Sequence, residues 1–109
     1  MDIPEDIRQY LITLLEQAKI EPATDEMKEK MLGELYFELD KYTAAKLIEH
    51  MPIEHLEAFL DLQEKKNPQE LEAFLIEYLP NVQQLYTDSF KEFGILYLEN
   101  IAKARAVRS

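Results

Sequence analysis

A short sequence, Leu-Glu-Ala-Phe-Leu, occurs twice in the middle of the chain, each time soon after a proline. The first copy follows Pro52 and ends at Leu60, and the second follows Pro68 and ends at Leu75. Proline is favoured in the first turn of a helix, where its missing N–H is not needed, and it cannot continue a preceding helix. The two copies therefore predict two helix starts roughly fifteen residues apart, and helices this short are not stable alone in water. The chain must fold as short helices that stabilise one another.

The composition supports an all-α fold. Only two of the 109 residues are glycine, Gly33 and Gly94, and a β-sandwich or barrel of this size would need many more turn residues. Apolar residues make up 47% and charged residues 31% of the chain, as is usual for a soluble globular domain. We expect a single helical domain over residues 1–109, a compact bundle of about five helices.

Prolines, cap residues and apolar periodicity predict where these helices lie. The predicted ranges are residues 3–20, 25–50, 52–66, 68–79 and 81–106. Asp2, Thr24 and Asn67 are the expected N-caps, because their side-chain oxygens can accept from free backbone N–H groups. Pro22 is expected to end the first helix, and Thr43 leaves open a break inside the second. Gly33 costs a helix about 1 kcal/mol relative to alanine, so it is predicted to mark a close helix crossing.

The apolar residues predict core positions and one candidate binding face. In the duplicated sequence, Phe59 and Phe74 are expected to be equivalent core residues. The last helix has two apolar stripes, more than one core contact needs, so either it is buried on all sides or one face is left for a partner or a second copy. The candidate partner-binding residues on this helix are Tyr86, Phe90, Tyr97 and Ile101.

Charge is unevenly distributed along the chain. The formal net charge is −10, and all twenty-two carboxylates precede residue 100. Such an acidic body repels phosphate backbones, so direct binding to nucleic acid is not expected. Residues 100–109 form a short basic tail containing Lys103, Arg105 and Arg108. These cations either complement the macrodipole at a helix C-terminus or contact an anion or acidic lipid.

Other sequence signals bear on the compartment. The chain has no cysteine, which excludes disulfides and thiolate metal sites. The sequence Met-Asp-Ile-Pro-Glu-Asp lacks the basic and apolar regions of a signal peptide. The longest apolar runs are about four residues, far too short to cross a bilayer. We therefore expect a cytoplasmic protein without a membrane span.

No residue pattern indicates catalysis. His50 and His55 lie near Glu49 and Glu54, but neither histidine has a glutamate three residues before it, as metal sites in helical bundles require. Ser89 lacks the glycine-flanked turn of an exposed nucleophile, and no glycine-rich phosphate loop exists. The sequence predicts no enzyme activity, no metal and no cofactor.

Several segments resemble a known family. The segments 47–56, 71–75 and 78–81, after a long acidic helix, resemble those of small uncharacterised helical domains from bacteria, a domain of unknown function. The resemblance covers about residues 25–100. It implies a compact helical domain and supplies no catalytic residues.

Two hypotheses of different classes follow. The first is a small acidic helical interaction module that binds a protein partner, or a second copy of itself, through the C-terminal helix. The alternative is an acidic inhibitor that masks a basic nucleic-acid-binding surface by imitating phosphate charge. The acidic inhibitor would require its carboxylates to be concentrated on one face, and its binding to the basic surface would weaken steeply as the salt concentration rises.

Overall fold

The computed structural model describes residues 3–108, and over this range the chain forms five α-helices and no strand. The helices are α1 (Glu5–Gln17), α2 (Asp25–His50), α3 (Ile53–Lys65), α4 (Pro68–Tyr78) and α5 (Val82–Arg108). The predicted all-α class and the number of helices are confirmed, and α2 is continuous through Thr43. The expected cap Asp2 lies outside the described residues. Pro4 occupies the N-cap position of α1, without a side-chain cap.

The N-caps of α2 and α4 form as predicted. Thr24 Oγ1 accepts a hydrogen bond from the backbone N–H of Met27 at 3.1 Å. Asn67 Oδ1 accepts from the backbone N–H groups of Gln69 and Glu70, at 3.1 and 3.2 Å. Each cap satisfies N–H groups that have no partner within their own helix.

Helix α1 ends earlier than Pro22 predicts because Lys19 adopts a left-handed conformation, with φ of 59°. The backbone N–H of Ile20 then donates to the carbonyl of Leu15 at 2.9 Å, and that of Lys19 donates to Glu16 at 3.0 Å. This pair of bonds is the Schellman motif, in which the left-handed position is usually glycine. The helix is therefore closed by its own backbone three residues before the proline.

The chain divides into two compact units. Unit 1 takes in the described residues up to Tyr42 and from Phe90 onward, and unit 2 is Thr43–Ser89. The core of unit 1 consists of buried residues from α1, α2 and α5: Leu11, Leu14, Leu15, Leu32, Leu35, Leu39 and Phe93. The core of unit 2 consists of Leu47, Met51, Phe59, Leu75, Leu79, Val82 and Leu85.

The close helix crossing in unit 1 is at Gly94, between α1 and α5. A β-carbon on Gly94 would lie 2.7 Å from the Tyr10 hydroxyl oxygen and 3.3 Å from Leu14 Cδ2. A β-carbon on Gly33 would meet nothing within 4 Å. The prediction that Gly33 marks a close crossing is therefore wrong, because this glycine lies on the outward side of α2.

The two copies of the duplicated sequence do not bury the same residues. In α3, Phe59 is 0% exposed and Leu60 is 41% exposed. In α4, Leu75 is 3% exposed and Phe74 is only partly buried. The two phenylalanine rings still stack, with centroids 6.3 Å apart and planes 22° apart. The prediction that both phenylalanines are equivalent core residues is wrong, because the two helices present different faces to the core.

The basic C-terminal segment belongs to a helix as far as the structure describes it. Helix α5 continues to Arg108. The guanidinium Nη2 of Arg105 donates to the backbone carbonyl of Lys19 at 3.2 Å, so one of the predicted tail cations holds the end of α1 in unit 1.

Candidate protein-docking groove

Two adjoining cavities lie in unit 1, and three residues of α2 and α5, Leu35, Glu38 and Tyr97, line both of them. We call this combined depression the Tyr97 groove. The first cavity, of about 250 Å³, is also lined by Leu15, Ile20, Met31 and Glu34. The second, of about 300 Å³, is also lined by Tyr42, Phe93, Leu96 and Asn100. The lining is mostly apolar, as is usual for sites that receive apolar side chains.

Tyr97 is held in place by aromatic packing along α5. Its ring lies 6.4 Å from the ring of Phe93 with planes 10° apart, as expected for side chains four residues apart on one helix face. Burial raises the pKa of Tyr97 above its ordinary value of 10.0, and the positive charge of Arg105 opposes that rise. The Tyr97 hydroxyl is therefore protonated at neutral pH and can donate a hydrogen bond.

Two residues that line the second cavity, Tyr42 and Phe93, take part in contacts between α2 and α5. The hydroxyl of Tyr42 donates to Glu92 Oε2 at 2.7 Å. The Tyr42 ring meets the Phe93 ring edge-on, with centroids 6.0 Å apart. This combination of a hydrogen bond and an aromatic pair fixes the distance between the two helices beside the groove.

The edge of the groove along α2 is negatively charged. Glu34 and Glu38 are exposed and line the groove. Glu38 forms an ion pair with Lys41 at 3.6 Å, with both side chains 59% exposed. Such exposed pairs contribute little and exchange readily with other cations. The groove therefore combines an apolar floor with a carboxylate edge.

The middle of α5 leaves apolar surface uncovered. Ile95 is 58% exposed and Leu96 is 45% exposed. Of these two neighbours, Leu96 lines the groove and Ile95 does not. Burial of α5 on all sides, one of the two alternatives that the sequence left open, is therefore wrong.

The four predicted partner-binding residues are all partly buried. Tyr97 lines the groove, and Ile101 lies one turn further along α5. Phe90 stacks on Tyr10 with ring centroids 5.6 Å apart, so it packs within unit 1. Tyr86 belongs to unit 2, where it packs against the core. A partner-binding role for these residues stays a prediction.

Sequence reasoning missed most of the other lining residues. Met31 and Leu35 have the four-residue spacing of an apolar helix stripe, which is typical of core positions, and Glu34 and Glu38 have the Glu/Lys spacing of a solvated helix face. In the sequence, only the run of apolar residues around Leu96, which covers nearly every side of α5, indicated that this helix has more apolar surface than one core contact buries.

Unit 2 has a cavity of its own, of about 260 Å³. It is lined by Pro68, Leu71, Glu72, Leu75, Ile76, Val82, Gln83 and Tyr86. The cavity lies between α4 and α5, and its lining includes Tyr86. It lacks the paired carboxylates that distinguish the Tyr97 groove.

The two histidines occupy different environments. His50 is exposed at the end of α2. The His55 ring stacks on Tyr78, with centroids 3.9 Å apart and planes 29° apart, and meets Phe74 edge-on at 6.4 Å. Among residues 3–108, no group of three or more His, Cys, Asp or Glu side chains could hold a metal ion.

The predicted absence of a membrane span agrees with the described part of the chain, in which no helix is both long and apolar enough to cross a bilayer.

Comparison with known proteins places the chain in a family. Residues 14–97 match the family described as protein of unknown function (DUF5663), and the chain belongs to it. The predicted likeness to a domain of unknown function is confirmed. No curated protein and no solved structure matches the chain.

Proposed function

We propose that this member of the DUF5663 family is a non-enzymatic protein-interaction module that binds a cationic helix of a partner protein in the Tyr97 groove. The observation that carries the proposal is the pairing of exposed Leu96 with two adjoining apolar cavities that share Tyr97. Exposed apolar surface beside a concave apolar site is typical of a place where a partner's side chains are buried.

The shape of the groove favours a helix as the ligand. Two cavities that share Tyr97 in their lining can each receive one apolar side chain, and a helix presents such side chains three or four residues apart. Aromatic residues at the centre of an interface contribute much of the binding energy, because they exclude water over a large area. Tyr97 occupies that central position.

The charges favour a cationic partner. Glu34 and Glu38 border the groove, and the whole chain carries a net charge of −10. Lysine or arginine residues next to the apolar positions of a partner helix would meet these carboxylates. Such complementarity accelerates association and excludes acidic competitors.

Leu96 and its neighbour Ile95 allow the proposed binding site to be tested with a matched control. A photoreactive amino acid at position 96 should cross-link the partner in cells, whereas the same group at position 95, outside the groove, should not. With the identified partner, Leu96→Glu should weaken binding on the order of tenfold or more, and Ile95→Glu, which adds the same charge, should leave affinity nearly unchanged. Equal effects of the two substitutions would refute the proposal.

A second candidate is supported by the same acidic edge. An inhibitor that covers a basic nucleic-acid-binding surface would also use Glu34 and Glu38, but it would not need Leu96. In that case, replacing both glutamates with glutamine should abolish binding while Leu96→Glu has no effect. Binding would also weaken steeply as salt screens the exposed charges, over about 10 Å at 0.1 M.

A further inference from the structure

The outward face of α2 in unit 1 carries an exposed phenylalanine beside an open glycine. Phe37 is 54% exposed and lies two residues from both Leu35 and Leu39, about 200° around the helix from these core positions. One turn before it, Gly33 has nothing within 4 Å of the position its β-carbon would take. Together with Lys30, Glu34 and Glu38, these residues line a shallow open depression.

No contact in the described part of unit 1 accounts for this glycine. Glycine inside a helix costs roughly 1 kcal/mol relative to alanine, and at Gly94 the close approach of Tyr10 requires it. At Gly33 the space is empty. A glycine in such a position allows a side chain from outside to approach the helix backbone closely.

We infer that α2 forms a homodimer contact in which Phe37 of each copy packs against Gly33 of the other, with the two helices antiparallel. Phe37 and Gly33 are four residues apart on one face, so a two-fold axis midway between them brings each phenylalanine over the partner's glycine. An interface of this kind must be self-complementary, because the same patch occurs on both copies. The phenylalanine and the glycine satisfy that condition.

The charges of the same face agree with this register. Lys30 lies three residues before Gly33, and Asp40 lies three residues after Phe37. In the antiparallel arrangement, Lys30 of one copy therefore lies opposite Asp40 of the other, and the pair occurs twice. Both residues are exposed. Residues three apart lie on one helix face, so these pairs flank the central contact.

The remaining charges near Phe37 are compatible with the contact. Lys41 Nζ lies 5.0 Å from the centroid of the Phe37 ring and forms the ion pair with Glu38. Glu29 is occupied by an ion pair with Arg8. A single pair of crossing helices buries less area than the roughly 1,200–2,000 Å² of a stable interface, so the dimer should be weak and reversible.

Charge reversal on the full-length chain tests the register. Sedimentation equilibrium over about 10 μM to about 1 mM protein should show a reversible monomer–dimer system. Lys30→Glu and Asp40→Lys should each weaken it on the order of tenfold, because each places like charges opposite one another. The double variant K30E/D40K should return the dissociation constant to within about threefold of the original, since opposite charges are restored. Lys91→Glu, an exposed charge reversal on α5, should change little.

Gly33→Leu tests the central contact by filling the space that Phe37 needs. Because that space is open in the single chain and leucine favours the helix over glycine, the helical circular-dichroism signal should be retained and the melting temperature should not fall, while the dimer is lost. A chain that stays monomeric throughout this concentration range overturns the inference, as does a dimer indifferent to G33L and to the charge reversals. None of these variants changes Leu96, so their effects are separable from those on the Tyr97 groove.

Discussion

The hydroxyl group of Tyr10 occupies the space beside Gly94, only 2.7 Å from where a β-carbon on that residue would lie. The hydroxyl donates to the carbonyl of Phe90, one turn earlier on α5, and the Tyr10 and Phe90 rings stack. Any side chain at position 94 would have to displace a group held by both a hydrogen bond and an aromatic contact. This relationship determines how closely α1 and α5 approach each other in unit 1.

The two glycines should therefore respond in opposite ways to alanine. Gly94→Ala should lower the free energy of unfolding by about 1–3 kcal/mol, as overpacking does. Gly33→Ala should raise it by up to about 1 kcal/mol, because the helix gains alanine's propensity and the new methyl group meets nothing. Urea denaturation at micromolar protein concentration measures both. Stabilisation by Gly94→Ala equal to that of Gly33→Ala would show that Tyr10 yields freely.

A double-mutant cycle locates the cause of the Gly94 effect. Tyr10→Phe alone should cost about 0.5–1.5 kcal/mol through the lost hydrogen bond. In the Tyr10→Phe background, Gly94→Ala should cost less than in the wild type, since the oxygen that the methyl group would meet is gone. We expect a coupling of at least about 0.5 kcal/mol. Strictly additive effects would assign the clash to Leu14 instead.

Stability should fall at alkaline pH. Burial raises the pKa of Tyr10, Tyr36 and Tyr97 above the ordinary value of 10.0. The unfolded chain therefore releases these protons first, and the stability they contribute is present below about pH 10 and lost as pH rises through the folded-state values. Unfolding free energies measured between about pH 9 and pH 12 should decline. The decline should be shallower in Tyr10→Phe, and an identical pH profile would exclude a contribution from Tyr10.

The duplicated sequence should show unequal energetics in its two copies. Phe59→Ala should cost about 3–5 kcal/mol and Leu75→Ala about 2–5 kcal/mol, because both side chains are buried. Leu60→Ala, at the position that matches Leu75, should cost less than about 1 kcal/mol, because its side chain is largely exposed. Thermal and urea denaturation of the three variants measures these losses in the free energy of unfolding. Equal losses at Leu60 and Leu75 would contradict the different faces described here.

The left-handed residue that ends α1 should be improved by glycine. Lys19→Gly removes the steric penalty of φ at 59°, roughly 1–2 kcal/mol, and part of this gain is offset by the greater entropy of an unfolded glycine. The net stabilisation should be about 0.5–1 kcal/mol. The control is Lys30→Gly, inside α2, which should lose about 1 kcal/mol. Destabilisation by Lys19→Gly would mean that the lysine side chain contributes contacts that outweigh the strain.

The helices were predictable because their signals are local. Thr24 and Asn67 are followed within three residues by the N–H groups that they cap, and each proline prevents a preceding helix from continuing. The end of α1 was less predictable, because it depends on a non-glycine residue in a left-handed conformation. Nothing in the chemistry of Lys19 indicates a left-handed residue, so the Schellman motif that ends α1 was not foreseen.

The candidate groove was predictable only in part. Excess apolar surface on α5 was visible in the sequence, and Tyr97 was among the candidate residues. The companions of Tyr97 on α2, however, depend on how the two helices meet. Helical periodicity shows which side chains share a face, and it does not show which face of another helix they contact.

The sequence by itself determined the helical class, the number of helices, the N-caps of α2 and α4 and the family, because each depends on residues a few positions apart. Only the tertiary structure decided which glycine lies at a crossing, which phenylalanine of the repeat is buried, and that Leu96 and Tyr97 border one groove. Those properties depend on the rotation and spacing of helices distant in sequence. Identical pentapeptides acquire different burial because burial depends on what packs against a side chain as well as on its own chemistry.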